Sequence, residues 1–386
     1  MTDVVIAGIG QTPVGEHWDI SLRELAFKAM EAAMKDAGGL QPQALFVGNM
    51  LAPSLSGQTH LGALLADFAG LTGVEASVIE AAGASGGAAL RQAYMALLAG
   101  NVDAALVIGV EKFTDRNGSG AEEALAATTD SDYEASQGLT PTAQSALLMR
   151  RYMHEFDLAH DVFAGFPITA HANGATNPNA MFQRAIKPET YQRAGVVSDP
   201  LNLFDIAPQA DGAAAVLLTR RELLPPSFPH VLVRISGSSL ATDTLALHDR
   251  QDALRFNAVR LSTERACRQA GILPDDVNLF ELYDSSSITA ALSLEAAGFA
   301  ARGQGWQLAQ QGQISLQGKL PVSTFGGLKA RGNPGGATGL YQVVEAVLQL
   351  RGQAGANQVA DARLAMVQAL GGPASSAVTH ILESLN

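Results

Sequence analysis

Short apolar runs along the chain alternate with stretches in which apolar residues recur every three or four positions. Asp3 to Ile9 (DVVIAGI) is a run of the first kind and predicts a buried strand. Leu22, Leu25, Ala26, Ala29 and Ala33 then fall on one helical face. Ser21 with Glu24 three residues on predicts a capping box at the start of that helix, and Gly38-Gly39 predicts its stop. Ala44 to Met50 predicts the next strand and Thr59 to Leu71 the next helix. The stretch Val78 to Leu90 (VIEAAGASGGAAL) predicts a strand, a tight turn and a helix N-terminus, with the helix running over Ala88 to Ala99. Such a turn offers backbone N–H groups and a positive dipole end to a ligand above it. Ala104 to Val110 predicts a further strand. Repeated β-α-β with apolar strands predicts a mostly parallel sheet covered on both faces.

The texture changes at Glu111. To about Ala194 the chain is richer in Asn, Thr and Tyr, with helical pieces such as Pro141 to Phe156. This predicts an insertion, about 112–194, lying over the core with loops that line a ligand site. The α/β pattern resumes near Pro208 (PQADGAAAVLLT). A second half then repeats the first in element order. His230 to Ser236 predicts a strand, and Asn257 to Gly271 a helix with Ala258, Leu261, Ala266 and Ala270 on one face. RQAGILPDDVNLFELYD parallels KDAGGLQPQALFVGNM near Lys35 to Met50. The glycine-rich turn Gly332 to Ala337 precedes a helix over Thr338 to Leu350, as Gly83 to Gly87 precedes the earlier one. A strand over Leu364 to Ala369 ends in Leu370-Gly371-Gly372. The expected organisation is a duplicated α/β unit with halves 1–228 and 229–386, whose glycine turns converge on one cleft.

Composition narrows the functional classes. The formal charge of −12 argues against a nucleic-acid or anionic-membrane surface. Cys267, the only cysteine, excludes a disulfide or a cysteine metal site within one chain, and its helical position predicts an inert core thiol. No early charged-then-apolar segment resembles a signal peptide, and no apolar run is long enough to span a bilayer, so the expected location is the cytoplasm. His17, His60, His154 and His160 are scattered, and Glu80 and Glu295 are lone carboxylates, so no metal site is expected. Gly8-Ile9-Gly10 lacks the third glycine of a dinucleotide fingerprint.

Several longer stretches carry a family resemblance: AGASGGAALRQAYMALLAGNVDAALVIGVEK, HANGATNPNA at His171 to Ala180, PQADGAAAVLL, ELYDSSSITAALSLEAAGF, GQISLQGKLPVSTFGGLKARGNPGGATG and QLRGQAG. Together they resemble the thiolase superfamily, most closely the sterol-carrier-protein or lipid-transfer-protein type, over nearly the whole length. The resemblance implies a duplicated five-layer α/β/α/β/α fold with an inserted loop domain in the first half. It also implies a tight homodimer and coenzyme A thioesters as substrate or ligand, with no permanently bound cofactor. By family the label would be thiolase or acetyl-CoA acetyltransferase.

Three positions depart from the family pattern. Thiolases carry the nucleophilic cysteine where this chain has Gly83, a His or Asn where it has Tyr283, and the His of a Gly-His-Pro turn where it has Asn333. Claisen chemistry needs a thiolate to hold the acyl group and a base for the α-proton. Glycine cannot be acylated, and asparagine cannot act as a base, though its amide can donate to an oxyanion. Tyr283 can donate a hydrogen bond and, with a depressed pKa, transfer a proton. Three coordinated departures favour natural divergence over a single nucleophile substitution. Some lipid-transfer-protein members lack the cysteine, cleave a β-hydroxy thioester by retro-aldol reaction, share the Tyr-Asp motif and act with a small OB-fold partner protein. They carry a second tyrosine near the Asn333 position, so the match is incomplete.

The expected site is therefore Tyr283, Asn333 and the backbone of Gly83, with the Gly372 amide as a further oxyanion donor and His171 and Ser285 as substrate contacts. The expected chemistry is cysteine-independent C–C bond cleavage on a CoA thioester. The alternatives are a non-catalytic acyl-CoA-binding or scaffold subunit, and an acetyltransferase whose nucleophile has been replaced. Ser85 is expected to cap its helix, Asp284 to fix a turn, and Asp211-Gly212 to form a structural turn.

Overall fold

The computed structural model describes residues 3–116 and 119–385. Eleven strands form in order: β1 (Val4–Gln11), β2 (Ala44–Gly48), β3 (Glu75–Ile79), β4 (Ala104–Glu111), β5 (Val196–Ser198), β6 (Leu201–Asn202), β7 (Gly212–Arg220), β8 (Val233–Thr242), β9 (Leu279–Glu281), β10 (Leu364–Gly371) and β11 (Ser376–Ser384). Nine of them run in the order β3-β2-β4-β7-β1-β8-β11-β10-β9, while β5 and β6 pair alone in the insertion. The fold is the thiolase fold, a mixed α/β architecture around a large central sheet.

Each half builds its own set of strands, and the two sets meet only at the short antiparallel contact of Val5 and Ile6 in β1 with Arg234 and Val233 in β8. The Leu22–Asp36 helix packs outside the first set and the Asn257–Ala270 helix outside the second. Between the sets lie the Ser85–Leu98 and Thr338–Leu350 helices, which touch strands of both. That gives five layers, α/β/α/β/α. The central helices come close because they are glycine-rich where they cross. A Cβ on Gly86 would lie 2.8 Å from the Gly336 carbonyl oxygen, and one on Gly339 would lie 2.7 Å from the Gly87 nitrogen. Any larger residue would push the two turns apart and open the cleft they form.

The local signals act as expected at the Leu22–Asp36 helix. The Ser21 hydroxyl accepts from the Glu24 N–H, and the Glu24 carboxylate accepts from the Ser21 N–H at 2.8 Å. The expected mostly parallel sheet is corrected. Only β3-β2, β2-β4 and β9-β10 are parallel; β7, β1, β8 and β11 all pair antiparallel with their neighbours. The chain leaves β4 through the long insertion and returns antiparallel in β7. In the second half a tight turn does the same between β10 and β11.

Strand β11 lies beyond the last element read from the sequence pattern, and polar Thr379 and His380 sit in its middle. Both are buried: Thr379 Oγ1 meets Ser262 Oγ at 2.8 Å and accepts from Gln368, and His380 Nε2 reaches the Gly87 carbonyl while its Nδ1 has no partner among the described residues. The β8 strand lies three residues later than expected and runs on to Thr242.

Candidate functional site

Strand β3 feeds through Glu80 and Ala81 into one 3₁₀ turn, Ala82–Ala84, and then the Ser85–Leu98 helix. Ala82 holds φ at 48°, a left-handed conformation that L-residues other than glycine rarely adopt, so the turn is strained next to Gly83. Ser85 does not cap the helix. Its hydroxyl donates to the Ala82 carbonyl at 2.6 Å and accepts from the Ala81 N–H at 2.9 Å, which pins the strained turn from beneath.

A Cβ on Gly83 would lie 2.2 Å from the Tyr283 hydroxyl oxygen, 2.7 Å from its Cζ and 2.6 Å from the Leu370 carbonyl oxygen. The space a side chain at position 83 would need is already filled, chiefly by Tyr283. That tyrosine follows β9 and is 7% exposed. Burial pushes its hydroxyl pKa well above the ordinary value, opposed by hydrogen bonding to the Asn333 side chain beside it. The expectation of a depressed tyrosine pKa is thereby corrected. The ring is enclosed, and no cation lies close enough to outweigh the loss of water.

Asn333 sits in the second glycine turn. Its N–H donates to the Pro208 carbonyl and its own carbonyl accepts from Ala210, so the backbone is fixed on both sides. Thr338, at the start of the next helix, donates its hydroxyl to Asn333 Oδ1 at 2.8 Å. With Oδ1 so engaged, the amide group Nδ2 is the part left to face the Tyr283 hydroxyl. The structure thus brings together Gly83, Tyr283, Asn333 and the Leu370 end of β10 from distant parts of the chain.

Gly372 holds φ at 55°, and a Cβ on it would lie 2.9 Å from the Thr128 carbonyl oxygen. What faces Gly83 from β10 is the Leu370 carbonyl, an acceptor. His171 lies in the Gly165–Gly174 helix of the insertion, with Nδ1 3.2 Å from the Arg184 carbonyl and its ring stacked on Phe182. Burial lowers its pKa, so it stays neutral. Its neighbours in the HANG motif tie the insertion to the second half. Asn173 donates to the Ser323 carbonyl, and Asn177 to that of Phe325. Ser285 is half-buried, and its carbonyl accepts from Ala207. Ser286, rather than Ser285, caps the Ser287–Ala296 helix.

Asp284 accepts from the Leu328 N–H at 2.8 Å, so it holds the start of the Gly327–Ala330 helix rather than a turn of its own. The expected Asp211-Gly212 turn is corrected: Asp211 bridges to Gly15 and Gly212 opens β7, while the Asp211 carboxylate accepts from the Phe113, Thr114 and His17 N–H groups. Cys267 is buried, and burial pushes its thiol up to about 11, so it is unreactive.

Behind Tyr283 lies a buried charge cluster that the sequence reading missed. Arg331 pairs with Glu345 at 2.6 Å, both essentially unexposed, and its guanidinium lies 5.1 Å over the Tyr341 ring. Lys329 donates to the Asp205 carbonyl at 2.6 Å, and burial brings its pKa down to about 8. Glu281 accepts from the Thr324 N–H at 2.9 Å, and burial raises its pKa to about 7. Glu111 accepts from Met50, Leu51 and Gly336 N–H groups and from Asn49, and so joins the strand ends of the first half to the second glycine turn. The available signal was charge inside otherwise buried runs: Glu281 between Phe280 and Leu282, and Lys329 and Arg331 in a Gly- and Ala-rich stretch. Among the described residues, no group of His, Cys, Asp and Glu could hold a metal ion. No described helix is long and apolar enough to cross a membrane.

Two family profiles match the chain, "Thiolase, N-terminal domain" over residues 4–222 and "Thiolase C-terminal domain-like" over residues 239–384. An acetyl-CoA acetyltransferase of Methanothermobacter thermautotrophicus is 39% identical over 99% of both chains. Sterol carrier protein 2 of Gallus gallus is 28% identical over 95% of this chain and 69% of its own length. Among solved structures, the Ltp2-ChsH2(DUF35) aldolase is similar with a TM-score of 0.84 and 27% identity, covering 99% of this chain and 98% of the other.

Proposed function

The chain belongs to the thiolase family, and from that premise we propose that it cleaves a carbon–carbon bond in a β-hydroxyacyl-CoA thioester by retro-aldol reaction, without an acyl-enzyme. The observation that carries this reading is the fit of the Tyr283 hydroxyl into the space above Gly83. A nucleophile lost by a single substitution would leave a hole; here a buried hydroxyl fills it.

In the reaction the Cα–Cβ bond breaks, its electron pair passes to the thioester enolate, and the β-oxygen becomes a carbonyl. The β-hydroxyl proton ends on Cα. Tyr283 keeps its own proton because burial raises its pKa. A neutral hydroxyl can accept one proton while donating another, so Tyr283 relays the proton without ionising. Asn333 Nδ2 and the Gly83 and Gly372 amides are the candidate donors to the enolate oxygen; the Ala82 and Ala84 amides are already bonded to Glu80 and Ala81. His171 and Ser285 remain candidate contacts for the rest of the thioester. The likeness to the Ltp2-ChsH2(DUF35) aldolase supports both the reaction class and a small OB-fold partner protein.

The test is a panel of β-hydroxyacyl-CoA thioesters, with and without candidate partners, read as release of the carbonyl product and the shortened acyl-CoA. Robust thiolysis of acetoacetyl-CoA by free CoA in the wild-type protein would sink the reading. Binding of acyl-CoA with no turnover of any panel member would favour a scaffold subunit instead.

A homodimer is part of the same proposal. Strand β3 is one edge of the sheet and, among the described residues, has no neighbour beyond it; its residues Glu75 to Val78 are exposed. Val78 (44% exposed) and, on the following helix, Met95 and Leu98 (both 46%) leave apolar surface beside that open edge. Val78→Asp is expected to turn a dimer into a monomer by light scattering; a wild-type monomer at micromolar concentration would refute the dimer.

A further inference from the structure

A groove of about 950 Å³ is walled by the loop that follows β8 and by Leu292, Glu295 and Ala296 in the later part of the Ser287–Ala296 helix. Both walls connect to residues of the proposed site. The helix follows directly from Tyr283 to Ser286. The loop is tied to the turn after β10, where the Asp243 N–H donates to the Ser375 carbonyl at 2.7 Å, and Leu245 packs against Gly372. The floor offers apolar surface from Leu254, Phe256, Leu292 and Ala296.

Four arginines line this groove, and three are neutralised. Arg302 pairs with Asp252 at 2.7 Å and with Glu155 at 2.5 Å, Arg255 pairs with Asp252, and Arg260 pairs with Glu264 at 2.8 Å. The fourth, Arg250, is only 9% exposed. Its Nε donates to the Thr244 carbonyl at 3.0 Å, but neither Nη1 nor Nη2 has a partner among the described residues. Glu134 and Asp243 are the nearby carboxylates, but neither is hydrogen-bonded to its Nη groups. Glu134 accepts from Leu247 and Asp130 N–H groups, and Asp243 accepts from Thr244. A buried guanidinium with its fork empty is destabilising unless a ligand completes it.

We propose that this groove takes the acyl part of the substrate and that Arg250 binds a carboxylate carried by that acyl group. The inference rests on the acyl-CoA reading above and names a substrate class for it. The two Nη groups suit a carboxylate, which accepts both in parallel. A doubly charged phosphate fits less well, because Asp243, Asp249, Asp252 and Glu295 also line the groove and only one cation is unpaired. The apolar floor would carry the methylenes between the thioester and the carboxylate.

Equilibrium binding to the full-length protein tests this without requiring turnover. Three pairs of acyl-CoA thioesters are compared at equal chain length: succinyl and butyryl, adipyl and hexanoyl, suberyl and octanoyl. In at least one pair the carboxylated member is expected to bind about tenfold more tightly, the scale of one charge-assisted pair. Arg250→Met is expected to abolish that preference while leaving the methyl-ended thioester within about twofold of wild type. Arg250→Lys is expected to keep part of it. Because the substitution to Met removes an unpaired buried charge, its Tm should be unchanged or higher; a merely structural arginine would lower it.

No preference in any pair, or a preference that survives in Arg250→Met, overturns the proposal and leaves the acyl-CoA reading standing. Failure of every thioester to bind overturns both. Displacement of the carboxylated ligand, and not its neutral twin, by low-millimolar inorganic phosphate would show a general anion site and overturn the acyl assignment. If Arg250→Met does not fold, the wild-type preference and the Arg250→Lys variant decide.

Discussion

Tyr283→Phe is expected to lower turnover of the β-hydroxyacyl-CoA substrate by about 10²–10⁴-fold, the usual contribution of a positioned proton-transfer group. The substitution keeps the buried ring and removes only the hydroxyl that sits over Gly83, so the fold should survive with little change in Tm. Substrate binding should change much less than kcat, because the hydroxyl acts on charge that develops as the C–C bond breaks. Burial raises the Tyr283 pKa, so the wild-type rate should show no loss from tyrosine ionisation as pH rises through the neutral range. Turnover of Tyr283→Phe close to wild type would remove Tyr283 from the chemistry.

A graded companion comes from Thr338, whose hydroxyl holds Asn333 Oδ1. Thr338→Val leaves the amide free to turn and should cost about tenfold in kcat, the value of one oriented hydrogen bond. Thr338→Ser, which restores the donor, should recover most of it. A Val effect that Ser does not rescue would point to packing instead.

Gly83→Cys is expected to restore no thiolase activity. In this fold the new Cβ would fall 2.2 Å from the Tyr283 hydroxyl oxygen and 2.6 Å from the Leu370 carbonyl oxygen. Neither can give way easily. The carbonyl belongs to β10, and the tyrosine is packed on all sides. Such overpacking costs about 1–3 kcal/mol, so the variant should melt lower and also lose the cleavage reaction, since Tyr283 must move to admit the sulfur. Adding Tyr283→Ala should recover stability relative to Gly83→Cys alone, because the contact is shared between the two positions. Rapid thiolysis of acetoacetyl-CoA by Gly83→Cys would mean that the site can still seat an acyl-enzyme, and the proposed reaction would fall.

Much of this protein can be read along the chain. The Ser21–Glu24 capping box, the glycine turns before both central helices and the lack of a side chain at Gly83 are local signals, visible to anyone reading residue by residue. The duplicated element order and the family resemblance are also sequential. Strand β11 escaped notice because its middle residues are polar, and their partners Ser262, Gln368 and Gly87 lie outside it. The buried charges of Lys329, Arg331 and Glu345 escaped for the same reason: their neutralising neighbours are distant in sequence. The ordinary pKa of a tyrosine gave no hint that enclosure would raise it.

By itself, then, the sequence determined that position 83 cannot carry an acyl group, since glycine has no side chain to acylate. Only the tertiary structure decided what stands there in its place. The hydroxyl of Tyr283 reaches Gly83 because two sets of strands and two glycine-rich helices bring their strand ends and turns together. It can stay there because a glycine leaves it room.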